Sequence, residues 1–526
     1  MNVRISQGLS TSALKFLVIA LLALGIFFRF ANLDQKAYWL DETFTSLHLS
    51  GYSDLEVENQ IAKGQIVSVA ELLKYQYPSP EKTVFDTVDR IAKTAPELPP
   101  LYFAIARFWL QLFGNSITAI RSLSAIISLL VFPSVYWLCL ELFKSPFVGS
   151  IAIALIAVSP FHLLWAQEAR PYSLWTAIVL LSNAALLRAM RLQTTRSWIA
   201  YTITAILGFY THLFSTLLFF THGIYVVLSQ RFRLTRTLIY YGISSLISLI
   251  AFAPWFYIAI ITISQYPKQP VAASTNDYPL ILLKGWLRGI SLFFADFSID
   301  ETSWLIAVIS FSILVGFILL LVGYAIYYLS RHTDAKGWLF VLCSMAIPPL
   351  VIIIIDLMQG QIRSTVSRYF VSSGLFVQLS VAYLLANQLS KTYDRPLKHQ
   401  QWKLGAIALL SVGVLSCITI IQSPAWWTKA EDNNNHQVAQ IINQTKQPLI
   451  VSDTFFVRIL SLSHVLDEKV KIQLLPTPKI AKIPQGFSDV FLYQPSQELI
   501  NELKQKQNLK VEPFYHQFLW QVQQKK

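Results

Sequence analysis

Two adjacent carboxylates, Asp41 and Glu42, follow the first long apolar segment and precede a long polar loop. At the end of such a segment a carboxylate costs little only where it meets water or takes part in chemistry, so this pair is the first candidate site. Its ordinary alternative is a solvated helix end. Arg170 and Arg368 stand where later apolar segments begin, and a guanidinium there can hold a phosphate through two parallel hydrogen bonds. Snorkelling to headgroups is the competing role. Tyr172 adds a hydroxyl donor beside Arg170. Lys284 and Arg288, spaced i and i+4, share one helical face and form a second, weaker pair of cations. Glu168 is expected to pair with Arg170, and Asp356 with Arg363.

The elements that must position these groups are helices in lipid. The chain of 526 residues is 54% hydrophobic and 13% charged, and its mean hydropathy is +0.48, values that describe an integral membrane protein. Apolar runs at 13–31, 121–142, 146–164, 172–190, 197–211, 213–229, 237–262, 303–329, 337–357, 368–389 and 404–422 make about eleven candidate spans. Basic residues such as Arg4 and Lys15 precede the first run, and no small-residue cleavage site follows it, so it is an uncleaved span. Cys139, Cys343 and Cys417 each lie inside an apolar run without paired spacing, which implies neither a disulfide framework nor a thiolate metal site.

A net charge of +13 could suggest nucleic acid, but the basic residues lie in short clusters between apolar runs, so no nucleic-acid partner is implied. Lys144, Arg188, Arg191, Arg196, Arg231, Arg233, Arg236, Arg331, Lys336, Lys391, Arg395, Lys398 and Lys403 all fall in alternate loops. The intervening loops hold little beyond Arg170, Arg363 and Arg368. That asymmetry places the N-terminus in the cytoplasm and the Asp41 loop outside, with the plasma (inner) membrane as the expected location. The stretch 99–114 is short and contains Arg107, so it is expected to lie in the outer interface with Arg107 snorkelling. The first outer loop then covers 32–120, with small surface helices, and a second covers 263–302.

After 422 the composition turns polar and alternates short strand-like runs, 448–452, 470–475 and 489–493, with a helical run at 497–507. A small α/β domain at 423–526, on the outer face, is expected beside a membrane module at 1–422. It has no phosphate loop and no clustered His or Cys, and it is assigned no chemistry.

Taken in order, Tyr38-Trp39-Leu40-Asp41-Glu42, Pro96-Glu97-Leu98-Pro99-Pro100-Leu101-Tyr102, Arg121-Ser122-Leu123-Ser124-Ala125, Ser159-Pro160, Gln167-Glu168-Ala169-Arg170-Pro171-Tyr172, Tyr210-Thr211-His212 and Arg368-Tyr369 share one face of the expected topology. This succession, across roughly 10–390, resembles the GT-C glycosyltransferases of the kind that includes protein O-mannosyltransferases and lipid A aminoarabinose transferases. The resemblance implies an all-α polytopic fold of GT-C type. It also implies transfer of a sugar from a polyprenyl-phosphate donor to a hydroxyl of a lipid, glycan or protein acceptor, outside the cytoplasm and with inversion. Asp41 corresponds to the family's general base, with Glu42 as its neighbour. The chemistry agrees, because a sugar on a lipid phosphate already has a good leaving group and needs no general acid. One base and cations for the phosphate suffice.

The resemblance also makes Glu97 a ligand for a divalent metal ion, or a substrate-orienting carboxylate, with a helix cap as the alternative. His212 would complete such a site as a neutral imidazole, against the commoner role of a packing residue. Two positions depart from the aminoarabinose transferases: Leu98 stands where a basic residue follows the glutamate, and Phe44 replaces an arginine. The contacts of that subgroup therefore do not carry over. The main alternative is a multi-pass transporter or flippase of lipid-linked sugars, which should place polar or discontinuous positions at mid-bilayer. Here the ionisable residues crowd the outer ends.

Overall fold

The computed structural model describes residues 11–264, 278–298, 303–391, 396–429, 432–476, 483–506 and 509–524. Arg4, Arg395 and the segments 265–277 and 299–302 of the second expected outer loop lie outside the described residues. The chain divides into two compact units, one of residues 1–31, 96–102 and 121–422 and the other of 32–95, 103–120 and 423–526.

The first unit is helical. Among the described residues seven helices are long and apolar enough to cross a membrane, or eight if one bent pair is a single span. The remaining expected spans are Thr11–Phe30 and two shorter helices, Thr195–Thr211 with 17 residues and Ser215–Ser229 with 15. The helix Ser367–Ser390 has 83% of its apolar window buried, whereas Leu305–His332 is only 11% buried and exposes Leu305, Ile306, Ile309, Ile313 and Leu320.

The expected span at 146–164 is not continuous. It is Pro146–Ala157 followed by Pro160–Ala166, bent by 63°. Pro160 lacks an N–H and disfavours helix in the residue before it, so the break falls at Val158-Ser159. The carbonyls freed by the break find a cation: the Arg29 guanidinium, 1% exposed, donates to Ala157 O at 3.1 Å and Ile156 O at 3.3 Å. Ser159 Oγ donates to Phe293 O at 2.8 Å. Thus a sequence-local break is held by groups distant in the chain.

The second unit is built on a six-stranded sheet: β1 (Ile66–Ser68), β2 (Pro448–Ser452), β3 (Lys471–Leu474), β4 (Asp489–Tyr493), β5 (Leu509–Tyr515) and β6 (Leu519–Gln524). The order is β1-β3-β2-β4-β6-β5. β2 runs parallel to β3 and to β4, while β1, β5 and β6 pair antiparallel. One face buries Ile450, Ile472 and Phe491 against Val457, Leu460 and Ile61. The other buries Leu449, Val451 and Leu492 against the helix carrying Leu499, Ile500 and Leu503. The strands expected at 448–452, 470–475 and 489–493 are present. β1 was not expected, and it joins the loop following the first span to the C-terminal sheet.

In that loop the helices Asp54–Ile61, Val69–Lys74 and Val84–Thr94 begin with the capping boxes Ser53/Glu56, Ser68/Glu71 and Thr83/Asp86, a local signal that satisfies the first-turn amides. The helix Leu101–Phe113 keeps an apolar outer face in Ile105, Phe108 and Leu112. Arg107 corrects the expectation of snorkelling. It is 0% exposed and donates to Leu49 O, Lys82 O, Ser79 O and Thr87 Oγ1. A guanidinium with a set of converging acceptors is better satisfied inside the protein than among headgroups.

Candidate active site

In the first unit the segment 166–171 links the helix Pro160–Ala166 to Tyr172–Leu192 and is pinned at three points. Gln167 Nε2 donates to Phe28 O at 2.7 Å and to Ala31 O at 2.8 Å. Ser124 Oγ donates to Arg170 O at 3.4 Å and is itself bonded to Tyr102 OH at 2.8 Å. Three motifs scattered along the sequence, those of Tyr102, Ser124 and Arg170, therefore meet. Their contacts set the direction of Arg170.

Arg170 and Arg368 converge on one ring. The guanidinium carbon of Arg170 is 6.0 Å from the centroid of Tyr172, and that of Arg368 is 5.9 Å from it. Arg368 also lies 5.8 Å from the ring of Tyr369. Around them stand Trp165, 4.6 Å from Tyr172, and Trp175, stacked on His212 at 4.3 Å. Each contact contributes on the order of 1 kcal/mol, and with Arg170 buried and Arg368 half-buried the two place positive charge around this ring. The buried indole N–H groups of Trp165 and Trp175 have no acceptor among the described residues, so the cluster supplies donors as well as charge.

His212, expected as a ligand, lies in this cluster in the hairpin between two helices. Burial, and then the charges of Arg170 and Arg368, push its pKa down to about 3, so it is neutral at physiological pH. The Phe214 N–H donates to Nδ1 at 3.2 Å, which leaves the proton on Nε2. That tautomer offers a hydrogen-bond donor and no lone pair for a metal. Glu97 is solvent-exposed, yet the surrounding protein raises its carboxyl by desolvation, a shift that the Arg170 charge opposes. Among the described residues no group of three or more His, Cys, Asp or Glu is placed to hold a metal ion. Among the described residues, Glu97 and His212 are not brought into such a group.

Lys284 and Arg288 lie on the helix Tyr278–Ser291, exposed and half-buried respectively. This helix packs on the segment that leads to Arg368: Trp286 Nε1 donates to Ser364 Oγ at 3.0 Å, and a Cβ on Gly285 would meet Thr365 at 2.5 Å. Asp356 accepts the Ser364 N–H and makes no ion pair with Arg363 among the described residues, because a turn amide reaches it first.

In the second unit Asp41 and Glu42 open the helix Leu40–Ser50, where negative charge is favoured by the backbone dipoles. Their surroundings differ. Glu42 is 0% exposed and pairs with Lys429 at 3.0 Å, whose ammonium also donates to Ala37 O at 3.1 Å. Asp41 is half-buried. Asp432 Oδ2 accepts the Leu40 N–H at 2.7 Å and so caps the helix from the far end of the chain. Burial raises the Asp432 carboxyl, and the bonds from Leu40, Ser461 and Asn435 oppose that rise. Sequence reasoning missed Lys429 and Asp432. Their one signal was a cation and a carboxylate following directly on the last span.

The family model described as Dolichyl-phosphate-mannose-protein mannosyltransferase matches residues 97–258. No curated protein matches the chain by sequence. The crystal structure of ArnT from Cupriavidus metallidurans bound to undecaprenyl phosphate is similar over 98% of this chain and 98% of that one, at TM-score 0.52 and 12% identity. The same protein in the apo state is similar at TM-score 0.52 and 11% identity, over 97% of this chain and 98% of that one. The fold is the GT-C type that the order of motifs implied.

Proposed function

We propose that this chain, with its GT-C fold, transfers a sugar from a polyprenyl-phosphate carrier to an acceptor hydroxyl on the extracytoplasmic face of the plasma (inner) membrane. The observation that carries the reading is the pair of guanidinium groups, Arg170 and Arg368, on one tyrosine ring. Two cations, a phenol and indole donors suit a phosphate at the end of an apolar tail. The match to a mannosyltransferase family over 97–258, which includes Arg170 and His212, supports the same donor class. So does the undecaprenyl phosphate bound by ArnT.

In the reaction Asp41 takes the proton of the acceptor hydroxyl as its oxygen attacks the anomeric carbon. The bond from that carbon to the phosphate oxygen breaks, and the electron pair leaves with the polyprenyl phosphate. Attack opposite the leaving group inverts the anomeric centre. Arg170 and Arg368 stabilise the charge that develops on the phosphate, with Tyr172 donating its hydroxyl. Glu42, closed into its ion pair, positions the helix and does not exchange protons with substrate. Lys284 and Arg288 add positive potential for the carrier. No metal step is needed.

The bent helix pair is the discontinuous feature that a transporter would show. Its break is filled by Arg29 and by Ser159, which favours a packing role. The test is mass spectrometry of cell-envelope lipids and glycans with and without the protein, followed by transfer assays in nanodiscs with labelled polyprenyl-phosphate sugars. A difference of one sugar residue that requires Asp41 is expected. An unchanged envelope, or transfer that survives Asp41→Asn, would overturn the reading.

A further inference from the structure

The second unit contains a cleft of about 950 Å³ at the carboxyl ends of β2 and β4. From β2 the chain proceeds to β3 on one side and then crosses to β4 on the other. The crevice between β2 and β4 is thus the topological switch point, where connections diverge to opposite sides and leave the strand ends open to a ligand. Thr454 and Phe455 follow β2, Gln494 follows β4, and the β5–β6 turn with His516 and Phe518 closes the third side.

Two lining residues hold unusual backbone. Gln494 has φ 44° and His516 has φ 47°, left-handed values that side chains rarely adopt and that accumulate where a side chain must be aimed. Gln494 is fixed further by Arg458, whose Nη1 donates to its Oε1 at 2.7 Å. The loops on either side are clamped together, Asp453 accepting from both the N–H and the hydroxyl of Ser496.

The lining specifies the ligand class. Amides, a hydroxyl, an imidazole and the Arg458 guanidinium, which is engaged with Gln494, offer both donors and acceptors, and Phe455, 50% exposed, supplies an apolar face. None of the lining residues is acidic, so the cleft is not built for a cation. The β2 turn, Asp453-Thr454-Phe455, has no glycine, and the phenylalanine stands where a backbone would have to approach a pyrophosphate. A sugar, with hydroxyls that both donate and accept and a C–H face that stacks on a ring, fits what remains.

We infer that this cleft binds a carbohydrate chain, the glycan part of the acceptor. Phe44 connects it to the proposed base: its ring lies 6.1 Å from that of Phe455, and it follows Asp41 by one helical turn on the same face. The identification as acceptor rests on the transfer reading above, whereas the binding itself does not.

The test is saturation-transfer NMR on the full-length protein in a detergent without a sugar headgroup, with mannotriose, chitotriose and maltotriose as probes and no donor present. At least one trisaccharide is expected to receive saturation, with affinity falling about tenfold in Phe455→Ala and in Gln494→Ala. Unchanged thermal unfolding would show those variants to be folded. Absence of transfer to all three sugars, or equal binding by both folded variants, overturns the inference. Sugar binding by a protein that moves no sugar from any polyprenyl phosphate would leave the cleft standing and remove the reaction.

Discussion

Glu42 and Lys429 are 387 residues apart in the chain and meet at 3.0 Å with both side chains excluded from water. The pair closes the first turn of the helix that carries Asp41 against the residues following the last span. Asp432 adds a cap on the Leu40 amide. The position of Asp41 therefore depends on a segment that no local pattern connects with it.

Breaking that pair should be costly. Lys429→Met removes the ammonium partner of a buried carboxylate, and a loss of about 3–5 kcal/mol is expected. The double variant Glu42→Gln/Lys429→Met should recover much of it, because no charge is then stranded. Thermal unfolding of the three proteins decides the matter, and equal melting of the single and double variants would speak against a stabilising pair.

Asp41→Asn keeps the size and the half-buried site while removing the base. Transfer should fall by roughly 10²–10⁴-fold, with melting temperature and carrier binding close to the parent protein. A variant that kept most of its turnover would exclude Asp41 as the proton acceptor.

For Arg170 and Arg368 the informative substitution is to lysine, which preserves charge and loses the planar fork. Affinity for a short-chain polyprenyl phosphate, measured by native mass spectrometry, should drop about 10- to 100-fold in each alanine variant. Lysine should restore only part of it. Full restoration would mean that charge alone matters.

His212 gives a pH signature. Its pKa is about 3 in the folded protein, below the value of about 6.5 for an unfolded chain. The native state thus holds fewer protons than the unfolded state between those values. Stability from this residue is complete above about pH 6.5 and is lost progressively as the pH falls toward 3. His212→Gln should flatten the acid limb of the stability profile over that window. An unaltered limb would show that the imidazole is not kept neutral by burial and the two arginines.

Much of the architecture was legible in the chain. Runs of Leu, Ile, Val and Phe without charge mark the spans because a bilayer demands them in any context. The capping boxes at Ser53, Ser68 and Thr83 and the strands at 448–452 and 489–493 are local signals too. Arg107 was misjudged for the same reason: hydropathy places an arginine in an apolar helix at the headgroups, and it carries no information about the carbonyls of Leu49, Ser79 and Lys82. The break at Val158-Ser159 was missed in the span expected at 146–164, although Pro160 is its local cause, and the cation that fills it is Arg29, far away in sequence.

The sequence by itself determined that this is a polytopic membrane protein with a polar C-terminal domain and GT-C motifs in order. Tertiary structure alone decided that Arg170 and Arg368 share the ring of Tyr172, that Glu42 is closed by Lys429, and that β1 joins the C-terminal sheet. The difference is physical. Hydropathy and capping act between near neighbours in the chain, whereas the pairing of charges depends on which distant segments the packing of helices and strands brings within a few ångströms.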